Sequence, residues 1–145
     1  MKPVSSAIAA ALLGWGVLMS NALAETASLT TRTNDLSPNG GEITLQAALG
    51  YNERPAALGW SIPLPAGWSM VRVGGGEGPQ VVPEPGTTGT LEFAYTSVPD
   101  YMASFAVTVR YPAGSGGVKI APTVIVRTEG KLITLTPAPV GLHRP

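Results

Sequence analysis

The chain has no cysteine in its 145 residues. That absence excludes disulfide staples, thiolate metal sites, a cysteine nucleophile and the lipidated cysteine of a bacterial lipoprotein. Charge is scarce as well: nine basic and nine acidic residues cancel and together make up 12% of the chain. Those of the domain are spread out, from Arg32 through Glu129 and beyond, with no basic run. A nucleic-acid surface needs a clustered positive face to displace counterions, so no nucleic-acid partner is expected. Histidine occurs once, as His143 in a proline-bearing stretch, where a Ser-His-acid triad would lack a rigid frame. Zinc would have that one imidazole and no thiolate, and no Asp-x-Asp-x-Asp run offers a calcium loop. No metal and no cofactor is expected. What the chain has in quantity is 18 glycines and 14 prolines, which helices avoid and which punctuate short extended segments.

The N-terminal stretch states a destination. Lys2 gives a positive start, Ala7 to Met19 form an apolar run, and Ala22 and Ala24 place small side chains before Glu25, the pattern of a cleaved signal peptide over residues 1–24. The run is short of the roughly 20 apolar residues a spanning helix needs. The expectation is therefore an exported chain, periplasmic or extracellular, with no transmembrane anchor after the cut. Small secreted eukaryotic domains lean on disulfides, so an exported chain without cysteine reads as bacterial. The 121 residues after the cut make one domain, large enough to bury a core without staples.

Period-two alternation runs through that domain. Ile43, Leu45, Ala47 and Leu49 share one face of the segment 42–49, and Leu58, Trp60 and Ile62 share one face of the segment 58–62. Leu91, Phe93 and Tyr95 do the same, and Phe105, Val107, Val109 and Tyr111 are the clearest case. Val118 to Arg127 is β-branched, with Pro122 marking a bulge or an edge, and Lys131 to Thr136 pairs with it across Thr128-Glu129-Gly130. Weaker strands are expected at 27–33 and 69–73. About eight strands that each hide one face must pack on a second sheet, so the fold expected over residues 25–136 is an antiparallel all-β sandwich, jelly-roll or immunoglobulin-like. Residues 137–145 read as a Pro-rich flexible tail.

A resemblance adds to this reading. Ala57-Leu58-Gly59-Trp60-Ser61-Ile62-Pro63-Leu64-Pro65-Ala66-Gly67-Trp68, Gly89 to Tyr95, Phe105 to Val109 and Pro112-Ala113-Gly114-Ser115-Gly116-Gly117 resemble stretches of β-sandwich modules in bacterial exported proteins. From Ala57 to Arg127 the chain looks like the cohesin-like and immunoglobulin-like modules of cell-surface and polysaccharide-degrading systems. The resemblance implies a sandwich of about nine strands that binds other macromolecules and performs no chemistry.

Glycoside hydrolysis needs two carboxylates about 5 to 10 Å apart across a cleft, and the pool is Asp35, Glu42, Glu53, Glu77, Glu84, Glu92, Asp100 and Glu129. Such groups are mostly solvated, so the chain is expected not to be an enzyme. The glycine-rich stretch Gly74-Gly75-Gly76-Glu77-Gly78 lacks the lysine and the following helix of a phosphate cradle, and reads as a flexible loop. Among the aromatics, Trp60 shares its face with Leu58 and Ile62 and reads as core, while Trp68, Tyr101 and Tyr51 lie beside turns and form the candidate ligand platform. Ala48, Ala94, Ala106 and Ala121 point outward on their strands, an uncharged face suited to a partner protein. The expected role is a non-catalytic module that engages a protein of the cell envelope. The alternatives are polysaccharide binding, a small carbohydrate-active enzyme, or a subunit of a secreted assembly.

Overall fold

A computed structural model describes residues 25–144; the expected signal peptide, residues 1–24, lies outside the described residues. Ten strands follow one another: β1 (Glu25–Thr31), β2 (Gly41–Tyr51), β3 (Ala57–Pro63), β4 (Ser69–Gly74), β5 (Thr90–Tyr95), β6 (Met102–Tyr111), β7 (Val118–Ile120), β8 (Thr123–Thr128), β9 (Lys131–Leu135) and β10 (Val140–Leu142). They make two four-stranded sheets, ordered β1-β2-β6-β4 and β5-β3-β8-β9, and a small β10-β7 pair. Every strand pairing is antiparallel. The expected all-β sandwich is the fold observed.

Alternation places the core between the sheets. Ile43, Leu45, Ala47, Leu49 and Tyr51 of β2 are buried, and residues 42, 44 and 46 between them are exposed. Across the gap, Trp60 of β3 and Phe93 and Tyr95 of β5 converge on Phe105 of β6, with ring centroids 5.9, 5.0 and 6.4 Å away. Each large side chain so buried contributes about 1.5–3 kcal/mol relative to exposure, so this cluster is the main favourable term. One polar atom opposes it: the Trp60 Nε1 is buried without a hydrogen-bond partner.

The aromatic contacts lay β5 and β3 over β6, which puts β4 and β5 on one flank of the sandwich and β1 and β9 on the other. On the first flank the long connection from Gly75 to Gly89 covers both sheet edges. Met70 of β4 donates its N–H to Thr87 O (2.9 Å) and accepts from Gly86 N–H (2.7 Å). Val81 and Ala94 of β5 exchange two backbone bonds of 3.0 Å. The part of the connection from Val81 to Thr87 is therefore an edge cover held by main-chain bonds, and of the glycine-rich stretch read as a flexible loop Gly74 belongs to β4.

Val118 to Arg127 is not one strand: Ala121-Pro122 separates β7 from β8, because Pro122 has no N–H to continue a ladder. Residues 137–144 are not a flexible tail. Val140 and Leu142 are buried, β10 pairs with β7, and the chain beyond is held by Leu36 N–H to His143 O (2.8 Å), His143 N–H to Asn34 O (2.9 Å) and Arg144 Nη2 to Gly114 O (3.0 Å). The apolar pair around Gly141 outweighs the prolines. Among the described residues no helix is long and apolar enough to cross a membrane.

Candidate functional site

The three rings of the candidate platform part company. Trp68 follows a turn in which its N–H donates to Pro65 O (3.1 Å) while Gly67 takes a φ of 87°, the left-handed position a type II turn requires. That turn swings the indole inward. Trp68 is 1% exposed and lies against Tyr111, centroids 5.3 Å apart and planes tilted by 35°. It is a core residue and cannot stack on a ligand. Tyr51 continues the inward series of β2, is 8% exposed, and donates its hydroxyl to Pro99 O. Tyr101 alone is displayed, at 85% exposure. Trp68 and Tyr101 belong to opposite ends of β6, about 30 Å apart by strand rise.

The Tyr101 end is built with care. The β5–β6 loop that carries Tyr101 is pinned three ways. Gln80 Oε1, from the edge-covering segment, accepts from Thr96 N–H (2.8 Å), Ser97 N–H (3.1 Å) and the Thr96 hydroxyl (3.3 Å). Beneath it the Tyr51 hydroxyl holds Pro99 O, and Val98 is buried. Beside it Arg54 Nη1 meets Asp100 Oδ1 at 3.4 Å, with both side chains largely exposed. Buried Tyr95 closes the base by donating its hydroxyl to Glu77 O (3.1 Å). Burial pushes the Tyr95 phenol up, with smaller contributions from Tyr51 and Glu77. Burial also raises Tyr51, against the lowering effect of the Arg54 guanidinium. Both tyrosines thus serve as neutral hydroxyl donors that stiffen the loop. Tyr101 and half-exposed Met102 follow Asp100, the residue that Arg54 engages.

The carboxylates of the pool are spread over the molecule. Glu42, on the outer face of the first sheet, holds Arg110 at 2.9 Å and Arg72 at 3.9 Å. Glu92, on the outer face of the second sheet, accepts from the Ser61 hydroxyl at 2.6 Å. Asp100 belongs to the Tyr101 loop, and Asp35 lies 4.0 Å from His143 beside the C-terminal strand. A shallow cleft of about 260 Å³ runs along Gly74, Gly75, Gly76, Gly78 and Pro79, with Val73 and Val82 as its other walls. Its lining carries no ionisable side chain. The four alanines do not form one smooth face: Ala48 and Ala106 belong to the first sheet, Ala94 to the second, and Ala121 lies between β7 and β8. Sequence parity missed the loop pins, since the Gln80 side chain accepts from backbone N–H groups, and the Pro99 carbonyl accepts from the Tyr51 hydroxyl, far along the chain. The inward turn of Trp68 was available in its alternation with Ser69 and Met70.

No family model and no curated protein matches the chain. Among solved structures it is similar to the full-length major pilin SpaD from Corynebacterium diphtheriae, at 14% identity and a TM-score of 0.57 over 79% of this chain. The chain spans 34% of that pilin's length. Looser superpositions, both at a TM-score of 0.46, relate it to two others. The chitin-binding domain of a hyperthermophilic chitinase from Pyrococcus furiosus has 18% identity, covering 74% of this chain and 91% of that one. A DUF4466 family protein from Parabacteroides merdae has 16% identity, covering 82% of this chain and 44% of that one. The pilin likeness bears on fold, an immunoglobulin-like β-sandwich, and does not single out cohesins.

Proposed function

We propose that the chain is an exported, non-catalytic module that engages a protein partner at the cell surface or in the periplasm, and that Tyr101 is the centre of the contact. The observation that carries this reading is the display of one nearly naked tyrosine on a loop pinned from three sides. Exposed aromatics in mobile loops lose rotamer and backbone freedom on binding; a pinned loop has lost most of it beforehand. Tyr, Met and Arg are the residue types enriched at protein contacts; Tyr101 and Met102 are consecutive, and Arg54 engages the preceding Asp100. Dispersed carboxylates, of which Asp35, Glu42, Glu92 and Asp100 each engage a different partner, support a role without chemistry, and the pattern of residues 1–24 supports export.

The test is capture. Residues 25–145, immobilised, are presented to envelope and secreted fractions beside a Tyr101→Ala version, and captured protein and glycan are analysed separately. The expected result is a protein retained by the wild type and lost with Tyr101→Ala. Glycan lost with Tyr101→Ala would move the reading to polysaccharide binding. Capture indifferent to Tyr101 would overturn the assignment of the site.

A further inference from the structure

Four strands end the two large sheets, and a sheet edge left bare is a template for another strand. The edges of β4 and β5 are bonded by the 75–89 connection, and β4 is further broken by a register shift between Met70 and Arg72. β1 is lined with hydroxyls, Thr26, Ser28, Thr30 and Thr31, and packs beside β10. β9 differs from all three. Among the described residues its backbone pairs with β8 alone, and three of its five residues, Leu132, Ile133 and Leu135, are large and apolar. Leu132 is 59% exposed and stands opposite Arg127 of β8; Ile125, opposite Thr134, is 43% exposed, while Ile133 and Leu135 are half-buried at the open margin of the core.

The geometry points to a second copy of this chain as the occupant of that edge, docked antiparallel about a two-fold axis through Ile133. The hairpin fixes which groups are free. Thr128 pairs with Lys131 across the two-residue turn Glu129-Gly130, whose φ angles of 44° and 78° mark a type I′ turn. Such a turn closes on a hydrogen-bonded pair, so Lys131, Ile133 and Leu135 direct their backbone groups to β8, and Leu132 and Thr134 direct theirs outward. Pairing β9 with itself about Ile133 sets Leu132 opposite the second copy's Thr134, and Thr134 opposite its Leu132. The outward N–H and C=O groups then meet one another in both pairs. Inner face adjoins inner face in the same register, as an isologous contact requires.

The side chains agree with the backbone. Lys131, the one charge of the strand, falls opposite Leu135 of the other copy, so the two lysines lie at opposite ends and do not repel at close range. On the outer face Leu132 of each copy stands beside Thr134 of the other, and the two Leu132 side chains, diagonal neighbours across the axis, leave water together. A strand from an unrelated protein would satisfy the backbone but would have no reason to match parity, charge and apolar positions together. This pairing is independent of the Tyr101 contact, which lies at another part of the molecule.

The absence of native cysteine makes the test clean. Across the axis Ile133 faces its own copy in a non-hydrogen-bonded pair, where Cα atoms come within about 4.5 Å, inside the range a disulfide bridges. Ile133→Cys is expected to form a covalent dimer under mild oxidation at least about tenfold faster than Ser28→Cys on the β1 edge. The wild type is expected to shift from monomer to dimer in sedimentation between about 1 and 100 μM. Thr134→Pro, which removes an outward N–H and leaves the β8 pairing, is expected to stay monomeric while still giving the Tyr101-dependent capture. As a readout that needs no variant, the Leu132 and Thr134 amides should gain protection from hydrogen exchange with concentration. A wild type that remains monomeric throughout, or a dimer in which those two amides exchange freely, would overturn the pairing.

Discussion

At one end of the sandwich Trp68 and Tyr111 lie ring against ring inside the core; at the other, Tyr101 stands almost wholly in solvent. Both ends are approached through turns rich in proline, glycine and small polar residues, and they look alike in the sequence. The difference is in what the turn does with the ring. The type II turn ending at Trp68 returns the chain into β4 with the indole on the inward side, shared with Met70. The loop ending at Tyr101 is instead fastened through Gln80, Tyr51 and Pro99, and its own ring takes no part in the fastening. An aromatic that closes a core and an aromatic held out by polar pins have different tasks, and perturbing each end should show different symptoms.

The largest effect is expected at the closed end. Trp68→Ala should cost about 3–5 kcal/mol by leaving a cavity beside Tyr111, read as a lowered urea midpoint. A loss under about 1 kcal/mol would mean that the ring is not a core element. The next effect separates the ends by pH. Tyr95 and Tyr51 both have phenols raised by burial, and both belong to the Tyr101 end. The unfolded chain releases those protons near the ordinary tyrosine value of 10.0, where the folded protein still holds them. Stability from this source is therefore complete below that pH and falls as pH rises above it. Denaturant titrations between neutral and strongly alkaline pH should show the decline, and Tyr95→Phe should flatten it. Smaller again is Gln80→Ala, which strips the acceptor from two backbone N–H groups. A cost of about 1 kcal/mol is expected, with faster exchange of the Thr96 and Ser97 amides and weaker capture, since the loop would no longer be held in advance. Unchanged exchange there would remove the basis for calling the loop preorganised.

Much of the architecture was legible because large apolar residues alternate so regularly. The odd-numbered series from Ile43 to Tyr51 and from Phe105 to Tyr111 leave little freedom about which face is buried. That same parity, carried two residues past Leu49, already assigned Tyr51 to the core, and a reading that treated it as a turn residue stopped the strand too early. β10 was hidden because Pro137 and Pro139 dominate its surroundings and its signal is only Val140 and Leu142 about Gly141. The edge cover from Gly75 to Gly89 was illegible for a different reason. Its bonds to Met70 and Ala94 are made by backbone groups, which every residue but proline carries, so side-chain pattern does not encode them. Tyr101 would face inward by the parity of Ala103 and Phe105, yet it precedes β6, where the ladder no longer dictates direction.

The most direct test sets the two ends against each other in one experiment. Trp68→Phe, which keeps an aromatic in the closed end, and Tyr101→Ala are compared with the wild type for urea stability and for titrated binding of the captured protein. Trp68→Phe should lose stability and bind as the wild type does. Tyr101→Ala should keep its stability within about 0.5 kcal/mol and lose the partner. Binding that survives Tyr101→Ala, or fails with Trp68→Phe while that protein remains folded, would contradict the assignment of the displayed ring to recognition and the buried ring to structure.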